Sequence, residues 1–250
     1  MKNIDTIVIA VGGQGRRIAT DLRKRGIRSS KVFLRSNGKP ILSHLIDMAL
    51  VLNFQRIFLL SSYYESELRS YLKENYLDNN RIIPIYGGKA GRKLGVPWLL
   101  YFIRQKIQGP FIYSDGNILY NPSILKKIKR IEALRPALAN VVLSIKDLAP
   151  THSRMILREG RIYKINTRVQ LLNKKQGNRS TGKQYYSLGL MALDESIFSS
   201  VSRFAYKKDL DYVVSDIFKS DKTLVKEIIY KGKWIALHTI EDIDKLTIRY

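Results

Sequence analysis

Cysteine is absent from the 250-residue sequence, which excludes disulfides and thiolate metal sites and leaves no redox clue to compartment. Acid is scarce: 21 Asp and Glu stand against 44 Lys and Arg, a formal charge of +23. That excess exceeds what one anion pocket needs and points to a polyanionic partner or an anionic surface. No window reaches the ~18 uncharged apolar residues of a membrane span. The first residues lack the apolar core of a secretory signal, so the expectation is a soluble, cytoplasmic protein. The three histidines, His44, His152 and His238, lack metal-ligand spacing and read as structural. No nucleophile elbow, internal repeat, coiled-coil heptad or Gly-Ser linker is present. Residues 1–250 therefore read as one domain.

What is present begins at Ile7-Val8-Ile9-Ala10-Val11, an apolar run entering Gly12-Gly13-Gln14-Gly15-Arg16-Arg17. A strand ending in glycines is the ligand-bearing edge of an open α/β sheet, because backbone N–H groups approach phosphate oxygens where no Cβ intervenes. A plain tight turn is the alternative. From Arg16 to Lys31 the segment is strongly basic, with Asp21 its one acid. It reads either as a flap over a triphosphate or as a solvated loop.

The chain then alternates. Val32-Phe33-Leu34 is a short apolar run before a turn at 36–40, and Ile41, Leu42, Leu45, Ile46, Ala49 and Leu50 recur at helical spacing. Strands are predicted over 57–60, 82–86 and 111–114, with helices over 65–77 and 94–107 and a glycine-rich stretch, 87–93, before the latter. This order predicts parallel pairing with right-handed crossovers. Asp115, at the end of the 111–114 strand, is placed to hold Mg²⁺ on a nucleotide, or else begins an Asp-Gly turn. A helix over 124–134, a strand over 139–145, a hairpin over 155–165, a strand over 185–193, helices over 195–204 and 210–218, strands over 225–229 and 234–237, and a terminal helix over 241–248 complete the prediction. Residues 166–184 are polar, basic and free of acid, which predicts a long loop.

Taken together, Gly12-Gly13-Gln14-Gly15-Arg16-Arg17-Ile18, Lys31-Val32-Phe33-Leu34 and Asn37-Gly38-Lys39-Pro40-Ile41-Leu42 resemble the sugar-phosphate nucleotidyltransferase family, of the glucose-1-phosphate thymidylyltransferase kind. Gly95-Val96-Pro97, Ser187-Leu188-Gly189-Leu190 and Trp234 through Asp242 extend the likeness. The resemblance implies a Rossmann-like three-layer α/β domain with a mixed, mostly parallel central sheet, without the β-helix extension of longer members. It implies a nucleoside triphosphate and a sugar phosphate as partners, with Mg²⁺ as cofactor. By position it implies Arg17 and Lys31 as catalytic cations, Val11, Gly12, Gly13, Gly15, Arg16 and Gly95 at the nucleotide, and Arg168 and Gly189 at the sugar phosphate.

The departures fall on the metal. Asn117 stands where the family has one metal-binding Asp, with Asp115 two residues earlier, and Ala236 stands where it has the other. Methyl cannot ligate Mg²⁺. Three readings follow: a nucleotidyltransferase whose metal rides mainly on the nucleotide, a binding or regulatory protein of the same fold, and a nucleic-acid-binding protein using residues 158–184.

Overall fold

The computed structural model describes residues 3–13, 22–24, 26, 29–145, 153–167, 183–204, 209–237 and 242. Its centre is β1 (Thr6–Ala10), whose side chains alternate between two separate cores. Ile7 and Ile9 join one core and Val8 the other, as a strand buried on both faces requires. A small hairpin follows, β2 (Arg35–Ser36) and β3 (Lys39–Pro40), turned at Asn37 and Gly38, both at positive φ. Asn-Gly suits that turn because both central residues must tolerate the left-handed region.

Helix α1 (Ile41–Val51) starts at Pro40 and stops where Asn53 turns to φ 57°. Ile41, Leu42, Leu45, Ile46 and Ala49 are fully buried and Leu50 is half-buried at the edge of the same core, so the predicted apolar stripe is the packed one. His44 Nε2 lies 2.8 Å from the Ser36 carbonyl, a structural contact joining helix and hairpin. Next come β4 (Arg56–Ser61), α2 (Glu65–Tyr76) and β5 (Ile82–Tyr86).

The expected helix over 94–107 is corrected by the structure. The glycine-rich stretch is itself helical, α3 (Gly88–Leu94), and a second short helix, α4 (Val96–Phe102), follows Gly95 at φ 83°. Helical φ/ψ cannot continue through that backbone, and Pro97 is seated in the first turn of α4, where a missing N–H costs nothing.

The remaining elements are β6 (Phe111–Asp115), β7 (Ile118–Tyr120), α5 (Ser123–Leu134), β8 (Ala139–Ser144), β9 (Arg154–Arg158), β10 (Arg161–Asn166), β11 (Lys183–Leu193), α6 (Ile197–Phe204), α7 (Leu210–Ser220), β12 (Val225–Ile229) and β13 (Trp234–Ala236). The expected terminal helix over 241–248 lies outside the described residues apart from Asp242.

The main sheet runs β10-β9-β11-β6-β1-β4-β5, with β8 beside β11 and β12 beside β8. The pairings set β1, β4, β5, β6, β8, β9 and β12 in one direction and β10 and β11 in the other. Helices α1, α2 and α5 cover one face and α4, α6 and α7 the other, the expected three layers. Strand β1 lies between β4 and β6, so the chain leaves it to one side and returns on the other. Open α/β sheets form a crevice at the carboxyl ends of such strands.

Candidate functional site at the ends of β1 and β6

Glycine is present where the backbones meet at the carboxyl ends of β1, β4 and β6. Val11 and Gly12 both donate to the Leu60 carbonyl, at 2.9 and 3.1 Å, drawing the loop across the end of β4. A Cβ on Gly12 would lie 2.2 Å from Ser62 N and 2.4 Å from Ser61 Cα. On the other side Gly116 donates to the Ala10 carbonyl at 2.9 Å, and a Cβ there would lie 2.6 Å from that oxygen. Gly13 has open space around its Cα and is exposed. Since the Gly12 conflict is with backbone on a buried strand, Gly12→Ala is expected to destabilise the protein by about 3 kcal/mol, measured by chemical denaturation.

Lys31 opens a 3-10 turn, Lys31–Phe33, and the short apolar run it begins buries Val32. Glu67 of α2 fixes its approach: Ser29 Oγ donates to Glu67 Oε1, and Ser30 N donates to Oε2 at 3.3 Å. Glu65, at the start of α2, accepts from Gly88 N at 2.7 Å, so α2 ties down both this segment and the start of α3. The Lys31 ammonium reaches across to the Leu237 carbonyl at 3.5 Å. Asn117 Nδ2 donates to the same carbonyl at 3.1 Å, and Leu237 N donates to the Asn117 carbonyl at 2.9 Å. Asn117 is thus buried against the β13 end, and its amide serves as a clamp.

Asp115 is the register partner of Ala10 and projects from the end of β6. Tyr113 donates its hydroxyl to Asp115 Oδ1 at 2.6 Å. Gly189, at φ 67°, lies against the other oxygen, where a Cβ would come within 2.3 Å of Oδ2. This glycine sits where β11 slips register against β8, between Ser187 and Met191. Burial pushes the Asp115 carboxyl up to about 7; Asp211 and Asp209 push in the same direction, while the Tyr113 hydrogen bond and the Lys31 charge oppose it.

Asp211, in the first turn of α7, is also raised, first by burial and then by Asp209, with hydrogen bonds from Ser153 and Ser187 acting against the shift. Ser187 Oγ donates to Asp211 Oδ1 at 3.3 Å. The site therefore holds a half-buried carboxylate, a second one influencing it, and an ammonium opposing the first through space.

The structure brings together Val11, Gly12, Asp115, Gly189 and, electrostatically, Lys31, with Asn117 bound to the same Leu237 carbonyl as Lys31. Gly95 closes α3 and donates to the Gly91 carbonyl at 2.8 Å, and Gly91 packs against Ser62, the residue whose backbone also abuts Gly12. Gly15, Arg16, Arg17 and Arg168 lie outside the described residues, as do His152 and His238. Tyr113, Asp209 and Asp211 carry no motif in the sequence. The one available signal was acid at the start of the helix predicted over 210–218.

Among the described residues no group of three or more His, Asp or Glu side chains is arranged to hold a metal ion. The donors present are hard carboxylate oxygens, Asp115 foremost, crowded by neighbouring negative charge. That set fits Mg²⁺ shared with substrate phosphates, since Mg²⁺ binds through one or two carboxylates plus phosphate and water rather than in a closed protein cage.

No protein-family model and no curated protein matches the chain. Solved structures do match in fold. The inositol-1-phosphate CTP transferase from T. maritima superposes with a TM-score of 0.74 at 17% identity over 98% of this chain and 97% of its own. A Bacillus anthracis protein assigned as a glucose-1-phosphate thymidylyltransferase, in complex with a sucrose, gives 0.77 at 13% identity over 96% and 93%. A UDP-glucose pyrophosphorylase complexed with UDP-glucose gives 0.72 at 13% identity over 97% of each chain. The fold of this chain is that of sugar-phosphate nucleotidyltransferases.

Proposed function

We propose, from this shared fold, that the protein is a nucleotidyltransferase that joins a nucleoside triphosphate to a sugar 1-phosphate or a related phosphate ester. The observation that carries the reading is the convergence of Gly12, Lys31, Asp115 and Gly189 at the switch point of the sheet. In the reaction an oxygen of the ester's phosphate forms a bond to the α-phosphorus. The bond from that phosphorus to the bridging oxygen breaks, and pyrophosphate leaves with the electron pair. Such transfer needs positioning and charge stabilisation more than covalent help. Gly12 and Gly13 supply close backbone approach, Lys31 opposes charge gathering at the α-phosphate, and Gly189 leaves room beside Asp115 for the ester. Asp115 would hold Mg²⁺, which when bound supplies Lewis-acid charge at the phosphates. Arg16 and Arg17, on the loop beyond Gly13, are the further cations of this reading.

A panel of the four common triphosphates against sugar and polyol phosphates with Mg²⁺, read as pyrophosphate release, tests it. Release with one pair above all others is the expected result; none with any pair would defeat the proposal.

One observation favours a second reading, a nucleotide-binding regulatory protein. Ala236 pairs with Ile118 in the β13–β7 ladder and is buried, so this strand delivers a methyl group, and the neighbouring amide of Asn117 is engaged with Leu237. Metal-independent nucleotide binding without turnover is the outcome that selects this alternative.

A further inference from the structure

Among the described strands β10 pairs only with β9, at the outer end of the sheet. A regular strand would turn alternate side chains inward. Here the register slips between Ile162 and Lys164, leaving Tyr163 without a partner on β9. The slip keeps Ile162 and Ile165 in the core while Arg161, Tyr163 and Lys164 all face out. Bulges of this kind re-aim side chains.

What the bulge presents is an aromatic ring between cations. Tyr163 is 45% exposed. The Arg158 guanidinium carbon, from the end of β9, lies 3.8 Å from its ring centroid, and the Lys222 ammonium, from the 3-10 turn Lys222–Leu224, lies 5.6 Å from it. Lys183, at the start of β11 and paired with Leu157, adds charge on the neighbouring strand, 5.9 Å from the Tyr185 ring. Acids on the same turns and packed elements include Glu159, Glu227, Asp216 and Asp221, whose carboxylate accepts from Thr223 N and Oγ1.

We propose that this outer face of β9 and β10, with the Lys222 turn, is a binding surface for single-stranded nucleic acid. Lys and Arg on an edge strand also serve to deter strand pairing, and for that task charge suffices. A projecting tyrosine with a guanidinium stacked on it adds what a base requires, flat surfaces to stack on beside cations for the phosphates. An anionic bilayer asks for apolar side chains to insert, and the aliphatic residues of β10 point into the core. The surface lies on β9 and β10, away from the crevice at β1 and β6, and does not depend on the activity proposed there.

The test is fluorescence anisotropy with a labelled single-stranded RNA of about 20 nucleotides in about 150 mM salt, with inorganic polyphosphate as competitor and phosphatidylserine vesicles as a separate arm. Tyr163→Ala is expected to weaken RNA binding ~10-fold without changing its salt dependence, and Tyr163→Phe to restore it. The double change Arg158→Ala with Lys222→Ala is expected to weaken binding ~10-fold or more and to reduce the salt slope by ~1.4, two phosphate contacts' worth for a single strand. Polyphosphate should compete poorly. Binding lost with modest added salt, equal affinity in the Tyr163→Ala protein, or vesicle binding that alone responds to these changes would each overturn the proposal. Unchanged thermal midpoints in the variants keep a folding defect from imitating the result.

Discussion

Lys31→Ala is expected to reduce turnover by ~100-fold or more, about 3 kcal/mol in the transition state, with the fold intact. The ammonium is held in the crevice by a short turn anchored through Ser29 and Ser30 to Glu67, and it already opposes negative charge at Asp115. Its hydrogen bond to the Leu237 carbonyl is long, at 3.5 Å. Little stability depends on that contact, whereas in the proposed transfer charge building on the α-phosphate would make the same ammonium worth more as reaction proceeds. The loss should therefore fall on kcat more than on KM, and Lys31→Arg should recover part of it. A lysine serving only as a solvated surface group would cost no more than ~0.5 kcal/mol in either measurement.

Asp115→Asn is expected to do two opposite things: to lower turnover at least ~100-fold and to make the protein more stable. The sign follows from the shifted carboxyl. Its pKa in the fold, about 7, lies above the ordinary 3.8, so the folded protein favours the protonated form. The stability this group lends is full below pH ~4 and is lost as pH rises through ~7. Asparagine stays neutral throughout and still accepts the Tyr113 hydroxyl. The variant should match wild type near pH 4 and exceed it by a margin that grows as pH rises through ~7, because only the wild type must then either ionise a buried carboxyl or hold its proton. Denaturant melts across that range check this; a difference independent of pH would show that burial and the neighbouring aspartates do not govern Asp115.

The strands of the main sheet were legible as runs of apolar residues between turn signals, whereas the short β2, β3 and β7 were not predicted. Ile57 to Leu60 and Phe111 to Ser114 are buried on both faces, and such strands announce themselves by composition alone. The break between α3 and α4 was not legible. One glycine among helix-forming residues is tolerated in many helices, and only the backbone at Gly95, φ 83°, shows that this one ends a helix.

At the site, the positions of Gly12, Lys31 and Gly189 followed from motif likeness, and the structure supplies their physical reasons: backbone clash at Gly12, carboxylate clash at Gly189, through-space charge at Lys31. Asp211 was hidden because acid in a helix's first turn ordinarily needs no more explanation than the helix dipole. Its influence on Asp115 arises from strand order, which places residues about 100 positions apart in one crevice. The engagement of Asn117 with Leu237 was hidden for the same reason, since a backbone carbonyl leaves no mark in sequence.

The most direct test of the central claim follows two labels in the triphosphate. With the preferred triphosphate and phosphate ester, label on the α-phosphorus should appear in the nucleotide-linked product and label on the γ-phosphorus in pyrophosphate, both slowed together by Lys31→Ala. Transfer of the γ-label to the ester, or retention of both labels in unreacted triphosphate whatever the ester, would contradict the assignment of this crevice to nucleotidyl transfer.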